Sequence, residues 1–118
     1  MLPNRMQLSR QTEEQLKKLK SYTGITPNVA ARLAFFRSVE SGFRYSPERD
    51  IQRLDGLLML DKITWLGETL QTTELILKML YPKMEEKKLI KAWAAHIEDG
   101  IASVRNHRNL LNFIQAIN

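Results

Sequence analysis

Lys17, Lys18 and Lys20 form the densest cationic cluster in this 118-residue sequence, and Arg5 and Arg10 lie just before them. An ammonium is a compact point charge that suits phosphate oxygens and reads base edges poorly. The cluster is therefore a candidate surface for the backbone of a polyanion, with low sequence selectivity. The competing reading is an ordinary solvated helix face. Base readout wants Arg, Asn or Gln aimed into a groove, and Asn4, Arg5 and Gln7 are the one such set. A second basic run, Lys83, Lys87, Lys88 and Lys91, is interleaved with Glu85 and Glu86. Mixed signs of that kind mark a solvated face.

Other chemistry is sparse. His96 and His107 form neither a His-x3-His pair nor the Glu-x-x-His of helical carboxylate metal sites. Glu98 and Asp99 follow His96, but adjacent helical positions do not share a face, so His96 reads as a structural residue beside Trp93. The sequence has no cysteine, which removes disulfides, thiolate nucleophiles, iron–sulfur ligation and thiolate zinc sites. Gly-rich phosphate loops are missing as well. Glu13-Glu14 and Glu85-Glu86 are expected on polar faces near helix starts, where the helix dipole favours them. Ser9, Ser21, Ser38 and Ser103 have no base beside them in sequence. No catalytic residue, metal or cofactor is expected, and the chain reads as a non-enzyme. Trp65, Trp93, Phe35, Phe36 and Phe113 fall on apolar stripes and are assigned to the core. Tyr22 and Tyr45 border the basic segment and are candidates for touching nucleic acid.

The charge is unevenly spread. Lys+Arg number 18 against 13 Asp+Glu, a net of +5. Residues 1–49 hold nine basic and four acidic side chains, whereas residues 50–118 hold nine of each. The whole excess sits in the first part, as expected for a chain that meets a polyanion and releases its condensed counterions. The length suits one domain over residues 1–118, and 43% apolar residues suffice for a core. No apolar run approaches about 20 residues and no signal peptide is visible, so a soluble cytoplasmic domain without membrane contact is expected.

The elements that must position these groups are helical, because apolar residues recur at three and four rather than at two. The exception is the arm Asn4–Ser9, where Met6 and Leu8 face one side. So short a strand needs a partner, which is expected from a second subunit. Ser9 or Thr12 can cap a helix with a Thr-x-x-Gln capping box at Thr12, with Leu16, Leu19 and Thr23 inside and the three lysines outside. Gly24 ends it. Thr26-Pro27 opens a second helix with Val29, Leu33, Phe36, Ala30 and Ala34 on its apolar face, closed by Gly42. Residues 43–50 read as a loop, Leu57–Leu60 as helix end or buried strand, and Asp61-Lys62-Ile63 as a turn. Thr64 can cap a long helix over about 65–80, facing inward with Leu66, Leu70, Thr73, Leu77 and Leu80, widened by Trp65, Ile76 and Met79; Pro82 ends it. A helix over about 84–105 carries Ile90, Trp93, Ile97, Ile101 and Val104, and Gly100 within it costs about 1 kcal/mol relative to Ala. A short last helix runs through residues 110–117. The prediction is an all-α domain of four to five helices with an N-terminal extended arm.

The order arm, helix, Gly24-Ile25-Thr26-Pro27-Asn28, helix, Gly42 resembles a ribbon-helix-helix start, in which strands from two subunits pair in the major groove. Over nearly its whole length the chain is similar to the DndE family of bacterial DNA sulfur-modification (phosphorothioation) proteins. The residues that carry the likeness are Leu8-Ser9 through Arg32, Thr64-Trp65-Leu66-Gly67-Glu68 and His96-Ile97-Glu98-Asp99-Gly100-Ile101. This resemblance implies a helical, homo-oligomeric (tetrameric) DNA-binding component with a preference for nicked duplex. It would act in a system that replaces a non-bridging phosphate oxygen with sulfur. Sulfur delivery would fall to a cysteine desulfurase, an iron–sulfur protein and an ATPase, in keeping with a chain that has no cysteine to carry a persulfide. By charge, Lys17, Lys18 and Lys20, with Arg5 and Arg10, are the expected DNA surface. Two other readings stand beside it: a sequence-specific regulator using Arg5 and Gln7 on paired strands, and a protein–protein adaptor. Because about 70 residues follow the second helix, the N-terminal unit is expected to be embedded in a larger helical body.

Overall fold

Local signals set the first two helices. In the computed structural model, which describes residues 1–50 and 52–102, α1 spans Arg10–Thr23 and α2 spans Pro27–Glu40. Ser9 is the N-cap of α1: its Oγ accepts the Thr12 N–H at 3.1 Å and donates to Thr12 Oγ1 at 2.9 Å. Gly24 closes α1 in the left-handed region (φ 78°), where its N–H reaches Lys20 O at 2.8 Å, a conformation that favours glycine. Pro27 starts α2 at the position where its missing N–H costs nothing. The remaining helices are α3 (Lys62–Leu66), α4 (Leu70–Leu80) and α5 (Leu89–Ala102), with single 3-10 turns at Pro47–Arg49, Gly67–Thr69 and Glu86–Lys88. The all-α expectation holds.

Met6 and Leu8 are buried, as the period-2 pattern predicts. The partner of the arm, however, lies in the same chain. Strand β1 (Arg5–Met6) pairs antiparallel with β2 (Leu60–Asp61), Arg5 opposite Asp61 and Met6 opposite Leu60. Residues 56–65 then stitch the arm along its length. Lys62 N donates to Asn4 O (2.7 Å), Gly56 N to Leu8 O (2.8 Å) and Trp65 Nε1 to Met6 O (2.8 Å). Those bonds satisfy backbone groups that a second subunit was expected to satisfy.

The core is centred on the packing of α2 against α5. Ala30, Ala31 and Ala34 present a small-residue face, and Gly100 of α5 sits directly against it. A Cβ on Gly100 would collide with the Ala34 carbonyl. The glycine read from sequence as a helix cost is what lets these two helices approach. Phe35, Trp65, Trp93, Ile97 and Ile101 fill the space around the crossing, the two indoles edge to face at 5.6 Å.

The helix expected over 65–80 is broken, and Arg32 accounts for the break. Its Nε donates to Trp65 O (2.7 Å) and its Nη2 to Thr64 O (2.8 Å). A continuous helix would have given those carbonyls to the N–H groups of Glu68 and Thr69. Gly67 turns there with φ 53° and ψ −134°, and a Cβ on it would lie 2.8 Å from Arg32 Nη2. The helix therefore starts earlier than predicted, at Lys62 after Asp61, and resumes at Leu70. On α4, Leu77 and Thr73 face inward, while Met79, expected on the inner face, is 70% exposed. Leu57 is exposed too, and of the 57–60 block only Leu60 joins a strand, together with Asp61 from the expected turn. Helix α5 begins at Leu89 rather than near 84, because residues 81–88 are occupied by turns. Ser103, Val104, His107, Phe113 and the helix expected over 110–117 lie outside the described residues. Among the described residues, no helix is long and apolar enough to cross a membrane.

Candidate nucleic-acid interface

Helix α1 is anchored by buried Leu16 and Leu19, and this leaves its opposite side to the lysines. Lys17, Lys18 and Lys20 are all exposed. At about 100° per residue they fan over roughly 160° of the helix surface, with Lys17 between the other two. Arg10 lies two turns before Lys17 on the same row. The three lysines are not equivalent. Lys17 Nζ is 3.3 Å from Glu13 Oε1, whereas Lys18 and Lys20 have no carboxylate partner among the described residues.

Glu13 itself departs from expectation. It is 3% exposed rather than on a solvated face, and its Oε2 accepts the Leu57 N–H at 2.6 Å beside the close approach of Gly56. The buried carboxylate is held by that one backbone N–H and by the Lys17 ammonium; Oε1 has the ion pair but no hydrogen bond among the described residues. The Arg10 backbone N–H donates to Asp55 Oδ1 at 2.9 Å. That bond, reinforced by the charges of Arg10 and Arg53, holds the Asp55 carboxyl below the usual carboxylate range. Arg5 is latched to its own chain, Nη1 to Asp61 Oδ1 (3.3 Å) and Nη2 to Met59 O (3.0 Å). Gln7 Nε2 donates to Gly56 O at 2.9 Å. Two of the three side chains suited to base readout are thus engaged within the molecule. Tyr22 is half-buried at the end of α1. The Tyr45 hydroxyl donates to Asp50 Oδ2 at 3.0 Å, and its pKa is pushed up to about 12, chiefly by burial and then by Asp50.

Ser38, which has no base near it in sequence, meets one in the fold. Ser38 Oγ is 2.9 Å from His96 Nδ1 and donates to Asp99 Oδ2 at 2.8 Å; His96 Nε2 is 2.7 Å from the Tyr81 hydroxyl, which accepts the Tyr45 N–H at 2.7 Å. The hydrogens can run in only one direction. The Ser38 proton points to the carboxylate, so Nδ1 carries the imidazole proton and donates to Ser38, and Tyr81 donates to Nε2. The result is a relay from the Tyr45 backbone through Tyr81, His96 and Ser38 to Asp99. In a nucleophilic triad the acid orients the histidine; here it binds the serine, and Ser38 and His96 are both fully buried. Burial, with the Arg44 charge adding, lowers the His96 pKa to about 4. The imidazole is neutral at physiological pH, as the relay requires.

A groove of about 900 Å³ lies beside the start of α1, walled by Arg10 and Glu14, by residues of the stretches 43–50 and 52–55, and by Glu98 and Asp99 of α5. Sequence reasoning missed it, because its walls come from three separate parts of the chain. The recurrence of Arg44 and Arg49 in the 43–50 loop, with Arg53 just beyond it, was the one available signal.

The family model described as "DNA sulphur modification protein DndE" matches residues 5–112. The chain belongs to the DndE family. The crystal structure of DndE from Escherichia coli B7A, involved in DNA phosphorothioation modification, is 82% identical with a TM-score of 0.86, and the match covers 88% of this chain and 98% of that one. A crystal structure of a DndE mutant involved in DNA phosphorothioation is 80% identical with a TM-score of 0.83, covering 88% and 99%. No curated protein matches the chain. Two of the blocks that carried the family resemblance have structural roles here. Thr64–Glu68 is the Arg32-capped break between α3 and α4, and His96–Ile101 holds the relay histidine, its aspartate end and the glycine of the α2–α5 crossing.

Proposed function

We propose that this chain is the non-catalytic DNA-binding subunit of the DNA phosphorothioation machinery, a single cytoplasmic helical domain. It grips the phosphate backbone of duplex DNA, nicked duplex included, through Lys17, Lys18 and Lys20, with Arg5 and Arg10 beside them. The observation that carries this reading is the exposure of Lys18 and Lys20, without carboxylate partners among the described residues, on a capped helix fixed to the core. Such cations gain most by replacing the counterions condensed on DNA. A homotetramer would repeat the surface four times. With no cysteine, the chain holds DNA while a cysteine desulfurase, an iron–sulfur protein and an ATPase supply and drive sulfur transfer. Because Arg5 and Gln7 are engaged within the chain, backbone contact is favoured over sequence readout.

The test is substitution of Lys17, Lys18 and Lys20 together by Glu, followed by gel shifts on intact and nicked duplex of one sequence. Retention is lost in the variant while its circular dichroism is unchanged. Replacing the three by Gln lowers the slope of log affinity against log salt by up to about 3. Binding that survives the charge reversal overturns the assignment of this face.

A further inference from the structure

We propose that the groove beside α1 takes one nucleotide unit of a DNA strand, with its phosphate held by Arg49 and Arg53 and its base against Phe43 and Tyr45. The inference rests on the reading that the chain binds DNA, and adds a concave contact to the convex lysine face. Its volume, about 900 Å³, falls in the range of sites for small ligands; a duplex cannot enter it, but a single splayed nucleotide can.

The groove is lined by four arginines (Arg10, Arg44, Arg49 and Arg53) and five carboxylates (Glu14, Asp50, Asp55, Glu98 and Asp99). Asp50 accepts bonds from the Tyr45 hydroxyl and the Gln52 N–H, Asp55 from the Arg10 N–H, Glu98 from Gln52 Nε2 and Asp99 from Ser38. Four of the five carboxylates are thereby engaged by donors of the protein itself, although Asp55 and Glu98 stay exposed, and Glu14 lies exposed on the α1 side. The exposed Arg49 and Arg53 guanidiniums make no hydrogen bond or ion pair with the described residues, and a free guanidinium fork matches phosphate oxygens two at a time. Phe43 and Tyr45 line the same space, and aromatic rings accept any base by stacking.

The wall is also held in place. Residues 43–50 contain only a single 3-10 turn, yet the buried relay ends on the Tyr45 N–H, and Phe43 packs edge to face on His96 at 5.1 Å. A buried polar network is costly unless complete. One that is complete and serves a surface segment fixes that segment in the way a binding site requires. Arg10 joins the two surfaces, lining the groove and lying roughly 10 Å along α1 from Lys17.

The test uses a fluorescent, 5′-phosphorylated four-nucleotide deoxythymidine strand, followed by anisotropy at low salt, with duplex binding measured in parallel. Arg49→Gln with Arg53→Gln lowers affinity for the short strand by at least about tenfold and leaves duplex affinity within about threefold. Lys18→Glu with Lys20→Glu does the reverse. The groove assignment is overturned if the wild-type chain does not bind the short strand, if the Arg pair leaves that affinity unchanged, or if an acidic peptide of equal charge competes equally well. Short-strand binding that depends on Arg49 and Arg53, in a protein whose duplex binding ignores the lysines, supports the groove and removes the lysine face. Matching melting curves exclude misfolding, and Arg49→Lys with Arg53→Lys restores part of the affinity.

Discussion

Acid should destabilise this protein through His96, and the size of the effect follows from the lowered pKa of the buried ring. Both ring nitrogens are used in the neutral form, Nδ1 donating to Ser38 and Nε2 accepting from Tyr81. A second ring proton would face a Tyr81 hydroxyl whose own hydrogen would then have no acceptor, inside a fully buried site. Burial, with the Arg44 charge adding, puts the folded pKa at about 4, against 6.5 in an unfolded chain. Because the folded value is the lower one, the unfolded chain takes up its proton first. Stability is complete above pH 6.5, is lost as pH falls toward 4, and loses no more from this residue below that. The loss comes to about 2 kcal/mol between pH 7 and pH 5, and about 3 kcal/mol by pH 4. Carboxylates whose pKa values are lowered, such as Asp55, unload only below the ordinary carboxylate range. Glu98, raised by burial and by Asp50 and Asp99, acts in the opposite sense: its contribution is present in acid and lost as pH rises. As pH falls from 6.5 to 5 Glu98 can only add stability, so a loss over that interval reports on histidine. Urea unfolding at fixed protein concentration, read by fluorescence of the buried Trp65 and Trp93, gives the free energy at pH 7, 6 and 5. His96→Gln should be less stable at pH 7 and should lose most of the slope. A wild-type stability flat to within about 0.5 kcal/mol over that interval, or an equal slope in His96→Gln, refutes the relay as drawn.

Gly67→Ala places a Cβ against the Arg32 guanidinium at a backbone conformation that only glycine adopts readily. It should cost about 2 kcal/mol or more, read as a lower urea midpoint at unchanged slope; a cost under about 0.5 kcal/mol would mean that Gly67 does not dictate the break. On the DNA side, Lys17→Gln should change the salt slope less than Lys18→Gln or Lys20→Gln, each of which removes about 1. The reason is that Lys17 alone already neighbours a carboxylate, and equal changes from all three would refute that ranking.

What could be read in the sequence was local. The Ser9 cap, the Gly24 stop, the Thr26-Pro27 start and the inward Met6 and Leu8 all depend on residues within a turn or two of each other, and the structure has each of them. What escaped depends on partners far along the chain. Periodicity continued a helix through Gly67 because nothing nearby announces that Arg32, about 35 residues earlier, takes its carbonyls. It put Glu13 on a solvated face because the N–H that Glu13 accepts belongs to Leu57. Ser38 looked isolated because its histidine lies 58 positions away. A periodic pattern says which side of a helix turns inward, but not which groups will be waiting there.

The same distinction sharpens the charge argument. Nine basic residues precede residue 50, but they are not nine equivalent contacts for a polyanion. Arg5 is paired with Asp61, Lys17 with Glu13, and Arg32 is occupied by the carbonyl end of α3. Lys18, Lys20 and Arg49 stand exposed, with no such acceptor for their side chains among the described residues. None of these three helps to fill the core, whereas Gly67, Gly100 and His96 are fixed by what they touch. Exposed substitutions away from caps and networks typically shift stability by no more than about 0.5 kcal/mol. Binding and folding can therefore be perturbed separately in this chain: loss of DNA affinity on changing Lys18, Lys20 or Arg49 measures the surface, and loss of stability on changing Gly67 or His96 measures the scaffold beneath it.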